Sequence, residues 1–312
     1  MMTDREIAEI AKNYRAVSVV TVNWNRYEDT CDCIDSLLSQ KEVSLKIICV
    51  DNGSSDNSGQ RLREKYDQIQ LLQLNSNLGF AGGYNLGIKQ ALKQNTDYIL
   101  IINNDTVADE WMVSKLLPEI QASNIGICAP LIYYFENPAC IWSGGGYINK
   151  RLLMPLNSHH IDENFSNPIE RTFITGCCYL MKKDLIEQVG LFDESFFLYM
   201  EDLDYCRRIM QTQWKMKIVP SAKLYHKVAA SNEGQYSPME RYFYGLSSGI
   251  YYRKYINCSN AWLIIPFRLI SAILWTLRLI SSGNFQSVGA YWKGLWEGWI
   301  KWSPLPPPSS IT

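Results

Sequence analysis

The chain has 312 residues, 47% of them hydrophobic and 20% charged, with 30 Lys and Arg against 31 Asp and Glu. That length suits one large domain or two smaller ones with an ample core. The near-neutral balance argues against a nucleic-acid binder, which needs a basic surplus against phosphate, and an aromatic content of 12% argues against long disordered tracts.

The polar, charged stretch 1–14 predicts no signal peptide. The nine cysteines, an odd number scattered in or beside apolar runs such as those around Cys49, Cys128, Cys177 and Cys178, read as buried thiols of a reducing compartment. The pairs Cys31/Cys33 and Cys177/Cys178 lack matching second pairs, so no structural zinc site is expected.

Short runs rich in Val, Ile and Leu at 17–23, 45–51, 69–74, 98–103 and 125–131 read as strands covered on both faces. Between them, 29–39, 57–66, 82–94 and 109–122 carry helical patterns. This alternation predicts a parallel, doubly wound α/β sheet, whose ligands bind beyond the carboxyl ends of its strands. The polar residues after each strand are therefore the ones to examine.

After the second strand comes Asp51-Asn52-Gly53-Ser54-Ser55-Asp56, in which Asp51 can accept from a base N–H. The plainer reading is a polar loop with Asp56 capping the next helix. The run from Asn77 to Gly87 carries Gly79, Gly82, Gly83 and Gly87 into a helix start. Glycines there admit a phosphate to helix N–H groups, or simply allow close packing. Their spacing is not the dinucleotide fingerprint, which disfavours a nicotinamide enzyme. Asn103-Asn104-Asp105 follows the fourth strand, where a carboxylate flanked by amides suits a hard divalent cation shared with substrate phosphates.

Weak periodicity over 132–171 predicts irregular or short antiparallel structure. A strand is expected at 172–181, helices at 183–189 and 200–210, and a short strand at 215–219 leading to His226, which taken alone reads as a hydrogen-bonded structural histidine before it reads as a ligand. On the second of these helices Glu201 and Asp204 share a face, with Asp202 about 100° round from Glu201. One carboxylate can then point into a site while its neighbours pair with Arg207, Arg208 or backbone; an isolated acidic run would by default be a solvated helix start.

From Ile250 onward six cations (Arg253, Lys254, Arg268, Arg278, Lys293 and Lys301) face a single acid, Glu297, so this part is net +5 and the rest net −6. It also holds six of the ten tryptophans. The stretch 261–280 is as long as a bilayer span, but two arginines inside it would cost roughly 2.5–3.5 kcal/mol each near the centre. Arg268, Ser271, Thr276 and Arg278 fall on one side, spoiled somewhat by Trp275 and Leu279, with Ile270, Ile273, Leu274 and Leu277 opposite. An amphipathic helical tail at 250–312 lying on an anionic membrane surface is expected, against the plainer alternative of a helical pair packing on the protein; it ends in the proline run 304–308, which stops a helix.

In order, these motifs resemble the nucleotide-sugar glycosyltransferases of family 2, over about 17–230, and within them bacterial rhamnosyltransferase-like members that build cell-surface polysaccharides. The carriers are 19–25, the Asp51 loop, Asn77 to Gly87, Asn103-Asn104-Asp105, Thr175-Gly176 and the run from Phe192 to Asp204. The resemblance implies a GT-A fold, an α/β/α sandwich over 1–249 with a nucleotide-sugar half at about 15–131 and an acceptor half at about 132–249. It implies nucleotide-sugar contacts from Asn23, Asn25, Asp51, Asn77, Gly82, Gly83, Asn104 and Gly176, and Mg2+ or Mn2+ held by Asp105 and His226. Asn103 stands where the family's metal motif begins with an acid, which leaves one charged ligand. The pair Glu201-Asp202 matches the general-base motif, with Asp202 as the base.

The implied activity is inverting transfer of a sugar, rhamnose from dTDP-rhamnose, to a lipid-linked or growing cell-surface glycan at the cytoplasmic face of the plasma membrane. No nucleic-acid partner is expected, and a homo-oligomer stays open. The alternatives are transfer of galactofuranose, glucose or galactose, or a non-catalytic nucleotide-sugar-binding scaffold.

Overall fold

The computed structural model describes residues 17–94, 96–157, 167–228 and 236–301. The polar start of the chain and the proline run at 304–308 lie outside them.

In chain order the elements are β1 (Val17–Asn23), α1 (Tyr27–Leu38), β2 (Leu45–Asp51), α2 (Ser58–Lys65), β3 (Gln70–Gln73), α3 (Gly79–Leu92), β4 (Tyr98–Ile102), β5 (Thr106–Ala108), α4 (Met112–Ile120), β6 (Ile125–Tyr134), β7 (Ile141–Ser143), β8 (Gly146–Asn149), β9 (Met154–Asn157), β10 (Ile169–Arg171) and β11 (Cys178–Lys182). There follow α5 (Lys183–Val189), α6 (Glu201–Ile209), β12 (Lys215–His226), α7 (Pro238–Tyr255), α8 (Ala261–Ser281) and α9 (Phe285–Lys301).

Strands β3, β2, β1 and β4 lie side by side and parallel, as the alternation of strands and helices predicts. The rest of the sheet corrects the expectation of an all-parallel array. β11 inserts between β4 and β6 and runs antiparallel to both, so the fourth and fifth strands in sequence are not neighbours. Periodicity marks a strand but carries no information on which partner takes it. The expected strand at 172–181 is also shorter: Phe173 makes an isolated bridge with Gly146, 176–177 turn, and the strand itself begins at Cys178.

β12 pairs parallel with β6 and crosses Pro220 at a register break between Val219 and Lys223, as a proline without an N–H requires. Beyond the break its end pairs with β5, setting His226 opposite Thr106.

Side chains alternate across the sheet. Val20, Ile48, Ile99 and Ile101 pack with Tyr84 and Ile88 of α3 on one face. Val19, Ile47, Leu100 and Ile102 pack with Leu37 of α1 and Met112 and Leu116 of α4 on the other. Two apolar layers of this kind make the sheet a rigid floor for residues at its edge.

The C-terminal helices start earlier than expected, since α7 begins at Pro238 and runs through Ile250. Its N-cap Ser237 accepts from the Glu240 N–H, and Pro238 sits at the first helical position, where no donor is needed. α7 and α9 pack backbone to backbone: a Cβ on Gly245 would lie 2.3 Å from the Tyr291 carbonyl oxygen, and one on Gly298 only 2.1 Å from that of Leu246.

On α8, Ile264, Ala272 and Leu279 are buried, so Leu279 seals the inner face instead of spoiling a polar one. Arg268 turns inward onto the Tyr252 ring and Ser248. The opposite face, with Leu269, Ile270, Ile273, Leu274 and Leu277, is more than half exposed. This 21-residue helix is long and apolar enough to cross a membrane.

Candidate active site

Three parallel strands end side by side, and one hydrogen-bonded chain ties their ends together. Asn23, at the end of β1, lies in register with Asp51, at the end of β2. The Asn23 amide donates to Asp51 at 2.9 Å and to Ser58 at 2.8 Å. Its carbonyl oxygen accepts from the Thr30 hydroxyl at 2.8 Å. Thr30 in turn accepts from the Asn104 amide at 2.9 Å, which brings in the loop after β4. Asn23 is 0% and Asp51 1% exposed, so these two are spent on one another and shape the edge from below.

The loop after β2 is laced to its neighbours. Asn25, at a positive φ of 53°, accepts from the Ser55 N–H at 2.7 Å. Asn52, not singled out from sequence, donates to Asn77 at 2.9 Å and accepts from the Leu78 N–H at 2.9 Å. Gly82 and Gly83 are filled by protein atoms, not left open toward a ligand. A Cβ at Gly82 would meet the Leu78 side chain at 2.7 Å, and one at Gly83 would meet Val22 at 3.0 Å. Gly83 serves the approach of α3 to the sheet, and Gly82 makes room for Leu78 at the start of the helix.

At the end of β4, the Asn103 side chain accepts from the Tyr84 hydroxyl at 3.1 Å. Asp105 and His226, distant in sequence, come together with Asp105 Oδ1 and His226 Nε2 3.2 Å apart. The β5–β12 pairing makes this meeting, helped by the Lys227 N–H, which donates to the Asp105 carbonyl at 2.9 Å. The edge of the His226 ring rests against Trp142, with centroids 4.4 Å apart. Its Nδ1 is buried without a hydrogen-bond partner.

Among the described residues no group of three or more His, Cys, Asp or Glu could hold a metal. A Mg2+-type cation, however, keeps several waters and takes one or two protein oxygens plus substrate phosphates. Asp105 would supply one such oxygen, and His226 a ring nitrogen, to an open site of that substrate-completed kind.

The carboxylates of α6 stand across the turn at 175–177. The Cys177 carbonyl accepts from the Asn103 N–H at 2.9 Å, while the Gly176 N–H donates to Asp202 at 3.0 Å. Two consecutive residues therefore join the Asp105 loop to Asp202. Gly176 sits tightly here: a Cβ would press on the Phe80 ring at 3.1 Å.

Asp202 is half-buried. Burial pushes its carboxyl up from the ordinary range, partly offset by the N–H groups of Gly176 and Leu203. Glu201 is buried, and its Oε2 has no hydrogen-bond partner; burial and the Asp202 charge push its carboxyl well above the usual range. Of the pair, Asp202 is therefore the one more open to solvent.

Tyr199 and Met200, at φ of 69° and 68°, form a left-handed pair immediately before these acids. Each such residue costs of order 1–3 kcal/mol and persists only where its surroundings enforce it. The enforcement comes from α7. Phe243 stacks on Phe197 at 4.6 Å, Tyr244 packs on Tyr199 at 5.9 Å, and the Ser247 hydroxyl donates to the Leu198 carbonyl at 2.7 Å.

Asp204, fully buried, pairs with Arg208 at 2.9 Å, as its position one turn before that arginine suggests. Lys254 of α7 bridges Asp204 at 2.6 Å and Asp193 at 2.7 Å. Sequence gives no sign of that bridge, which spans 50 and 61 residues of chain.

Residues 18–190, more than half the chain, match the family described as glycosyl transferase family 2. A low-salt glycan biosynthesis hexosyltransferase of Haloferax volcanii is 28% identical over 62% of this chain and 61% of its own length, so the chain spans less than two thirds of that relative. An N-acetylglucosaminyl-diphospho-decaprenol L-rhamnosyltransferase of Mycobacterium tuberculosis is 28% identical over 63% of this chain and 70% of its own. In three dimensions, a mannosyltransferase of Pyrobaculum calidifontis in complex with GDP-Man and Mn2+ superposes with a TM-score of 0.57 at 12% identity, over 93% of this chain and 88% of the other. The chain belongs to glycosyl transferase family 2, and its fold is of the GT-A type.

Proposed function

We propose that the protein is an inverting glycosyltransferase that moves rhamnose from dTDP-rhamnose to a lipid-linked or growing glycan acceptor at the cytoplasmic face of the membrane. The observation that carries this is the half-buried Asp202, held by the Gly176 N–H one residue from the carbonyl that anchors the Asp105 loop. A candidate base and a candidate diphosphate site thus face each other across one short turn.

An acceptor hydroxyl is a poor nucleophile, and Asp202 takes its proton as it attacks the anomeric carbon. Its raised proton affinity suits a base whose conjugate acid must hold that proton through the transition state. Attack opposite the leaving nucleoside diphosphate inverts the centre in one displacement. Asp105 and His226 would hold Mg2+ or Mn2+, which when bound supplies positive charge against the leaving diphosphate. Asn25, Asn77, Asn104 and Gly176 line the nucleotide-sugar edge, with Asn23 and Asp51 fixing its shape from beneath. Gly82 and Gly83 act through packing.

Rhamnose is supported by the mycobacterial relative, whose name carries an L-rhamnosyl donor group and a diphospho-decaprenol acceptor. Peripheral attachment is supported by the exposed apolar face of α8 beside the exposed Trp296 of α9, an arrangement that suits the headgroup layer. Nine free cysteines, seven of them buried, suit a reducing compartment.

The test is nucleoside diphosphate release from a panel of nucleotide sugars, with wild type beside Asp202→Asn, with and without Mg2+ or Mn2+ and membrane lipid extract. Release from dTDP-rhamnose alone, lost in the variant, is expected. Turnover of another donor would change the sugar. Silence with every donor, with nucleotide-sugar binding retained, would replace the transferase by a scaffold.

A further inference from the structure

The three C-terminal helices line a half-open cleft of about 270 Å³ that the chemistry at the strand edge does not use. Its walls are Tyr252 and Ile256 from α7 and its end, Ile265 and Leu269 from α8, and Leu295 and Trp296 from α9. The floor is fixed, because Gly249 brings α7 against the backbone of α9, where a Cβ would lie 2.6 Å from the Leu295 carbonyl oxygen. Such backbone-to-backbone contact leaves the cleft preformed, not dependent on side-chain rearrangement.

The cavity is apolar except at one place. Arg268 reaches into it with its guanidinium 4.3 Å from the Tyr252 ring centroid, donating to the Ser248 hydroxyl at 2.6 Å. No carboxylate pairs with Arg268 among the described residues, so its full charge sits at the end of an oily cleft. The mouth opens on the exposed face of α8, where Ile265 is 42% and Leu269 52% exposed, beside Trp296 at 66%. An occupant must therefore be hydrocarbon along its length, anionic at one point, and continuous with an apolar phase outside.

We propose that this cleft holds a section of the hydrocarbon chain of a long-chain lipid phosphate, with the phosphate drawn to Arg268. This deepens, and rests on, the reading of the protein as an enzyme with a lipid-linked acceptor. The volume of about 270 Å³ falls just below the about 300–1,000 Å³ typical of small-molecule sites, which suits one section of a chain whose remainder runs over α8 into the bilayer. α7 carries the proposal toward the chemistry. Ser248, Gly249 and Tyr252 line the cleft, while the adjacent Ser247 holds the loop before Glu201-Asp202 through the Leu198 carbonyl. A chain seated here anchors its headgroup beside the helix that enforces the base loop.

The experiment is co-sedimentation of the full-length protein with phosphatidylcholine vesicles doped to matched surface charge with either undecaprenyl phosphate or phosphatidylglycerol. Wild type should bind the undecaprenyl phosphate vesicles about tenfold more tightly, the effect of burying about two further methylene groups. Leu269→Trp, which fills the mouth, and Arg268→Gln should both reduce that preference to within about twofold, with Leu269→Trp melting as wild type does. Equal wild-type binding to the two vesicles, or a preference that survives Leu269→Trp, overturns the proposal. So does a Leu269→Trp variant that changes only the oligomeric state, since the occupant is then a second copy. Failure to bind any vesicle overturns it together with the membrane attachment. A lipid preference in a protein that turns over no nucleotide sugar upholds the cleft and removes the transferase, so the two failures are distinct.

Discussion

The Gly176 N–H donates to the Asp202 carboxylate at 3.0 Å, and a Cβ on Gly176 would also touch Asp202 Cβ at 3.4 Å. The turn thus fixes the carboxylate without covering it. Asp202→Asn keeps an oxygen for that N–H, gives up the one that accepts from the Leu203 N–H, and removes the capacity to take a proton. Turnover should fall by about 10²–10⁴, with nucleotide-sugar affinity and thermal melting near wild type. A loss of binding equal to the loss of turnover would show that Asp202 positions the donor instead.

The same burial that shelters these acids sets a pH dependence. Asp202 must be ionised to act, and its proton affinity is raised. The acid limb of kcat/KM should therefore lie above the ordinary carboxylate value of about 4. Glu201 contributes to stability in the matching direction. Its folded form binds a proton more tightly than its unfolded form. That contribution is present at low pH and is lost as pH rises through the raised value. Glu201→Gln should flatten this decline in a series of denaturant titrations, while an unchanged slope would place the effect on another group.

Lys254 is held between two buried acids, Asp193 and Asp204, whose side chains are 3% and 0% exposed. Replacing it by Met leaves Asp193 without a cation and Asp204 with Arg208 alone, and should cost about 3–5 kcal/mol in chemical denaturation. Burial alone would raise the Asp193 carboxyl, but Lys254 and the Ser195 amide outweigh it and hold it below the usual range. The stability it supplies is present above its unfolded value near about 4 and is lost as pH falls through the folded value. That acid-side loss should shrink in Lys254→Met.

The strand ends were legible in the sequence because apolar runs stop at polar residues, and Asn23, Asp51 and Asn104 do meet at one edge. Asp105 and His226 also meet, although 121 positions separate them in the sequence, because β5 pairs with the end of β12. What periodicity could not supply was partner choice. β11 between β4 and β6, and Lys254 beneath the acidic helix, are contacts between segments whose local patterns are unremarkable. Thr30 was missed for a different reason: it lies inside a helix, where a threonine carries no functional signal until the Asn104 amide and Asn23 are seen on either side of it.

With Asn103 in place of an acid, Asp105 is the one carboxylate of its triplet, beside His226 at 3.2 Å. Asp105→Ala should raise the Mg2+ or Mn2+ concentration giving half-maximal turnover by at least about tenfold, the weight of one charge-bearing ligand. His226→Ala should have a smaller effect in the same direction. Equal activity of both variants in a chelator series would mean that no cation is held there.

Two glycines of α9 should respond oppositely to the same substitution. A Cβ at Gly298 would lie 2.1 Å from the Leu246 carbonyl oxygen and 3.0 Å from the Ile250 nitrogen, both backbone atoms of α7 that cannot turn aside. Gly298→Ala must push the helices apart, and overpacking of this kind costs about 1–3 kcal/mol. At Gly289 nothing lies within 4 Å, and its φ is ordinary. Gly289→Ala therefore removes unfolded-chain entropy without a clash and should stabilise by about 0.4–1 kcal/mol. Thermal melting of the two variants should move in opposite directions from wild type. Because α7 also braces Tyr199 through Tyr244, Gly298→Ala should lower turnover as well as the melting temperature, whereas Gly289→Ala should leave turnover alone. Equal turnover in the two variants would mean that the helical pair supports the fold without bracing the base loop.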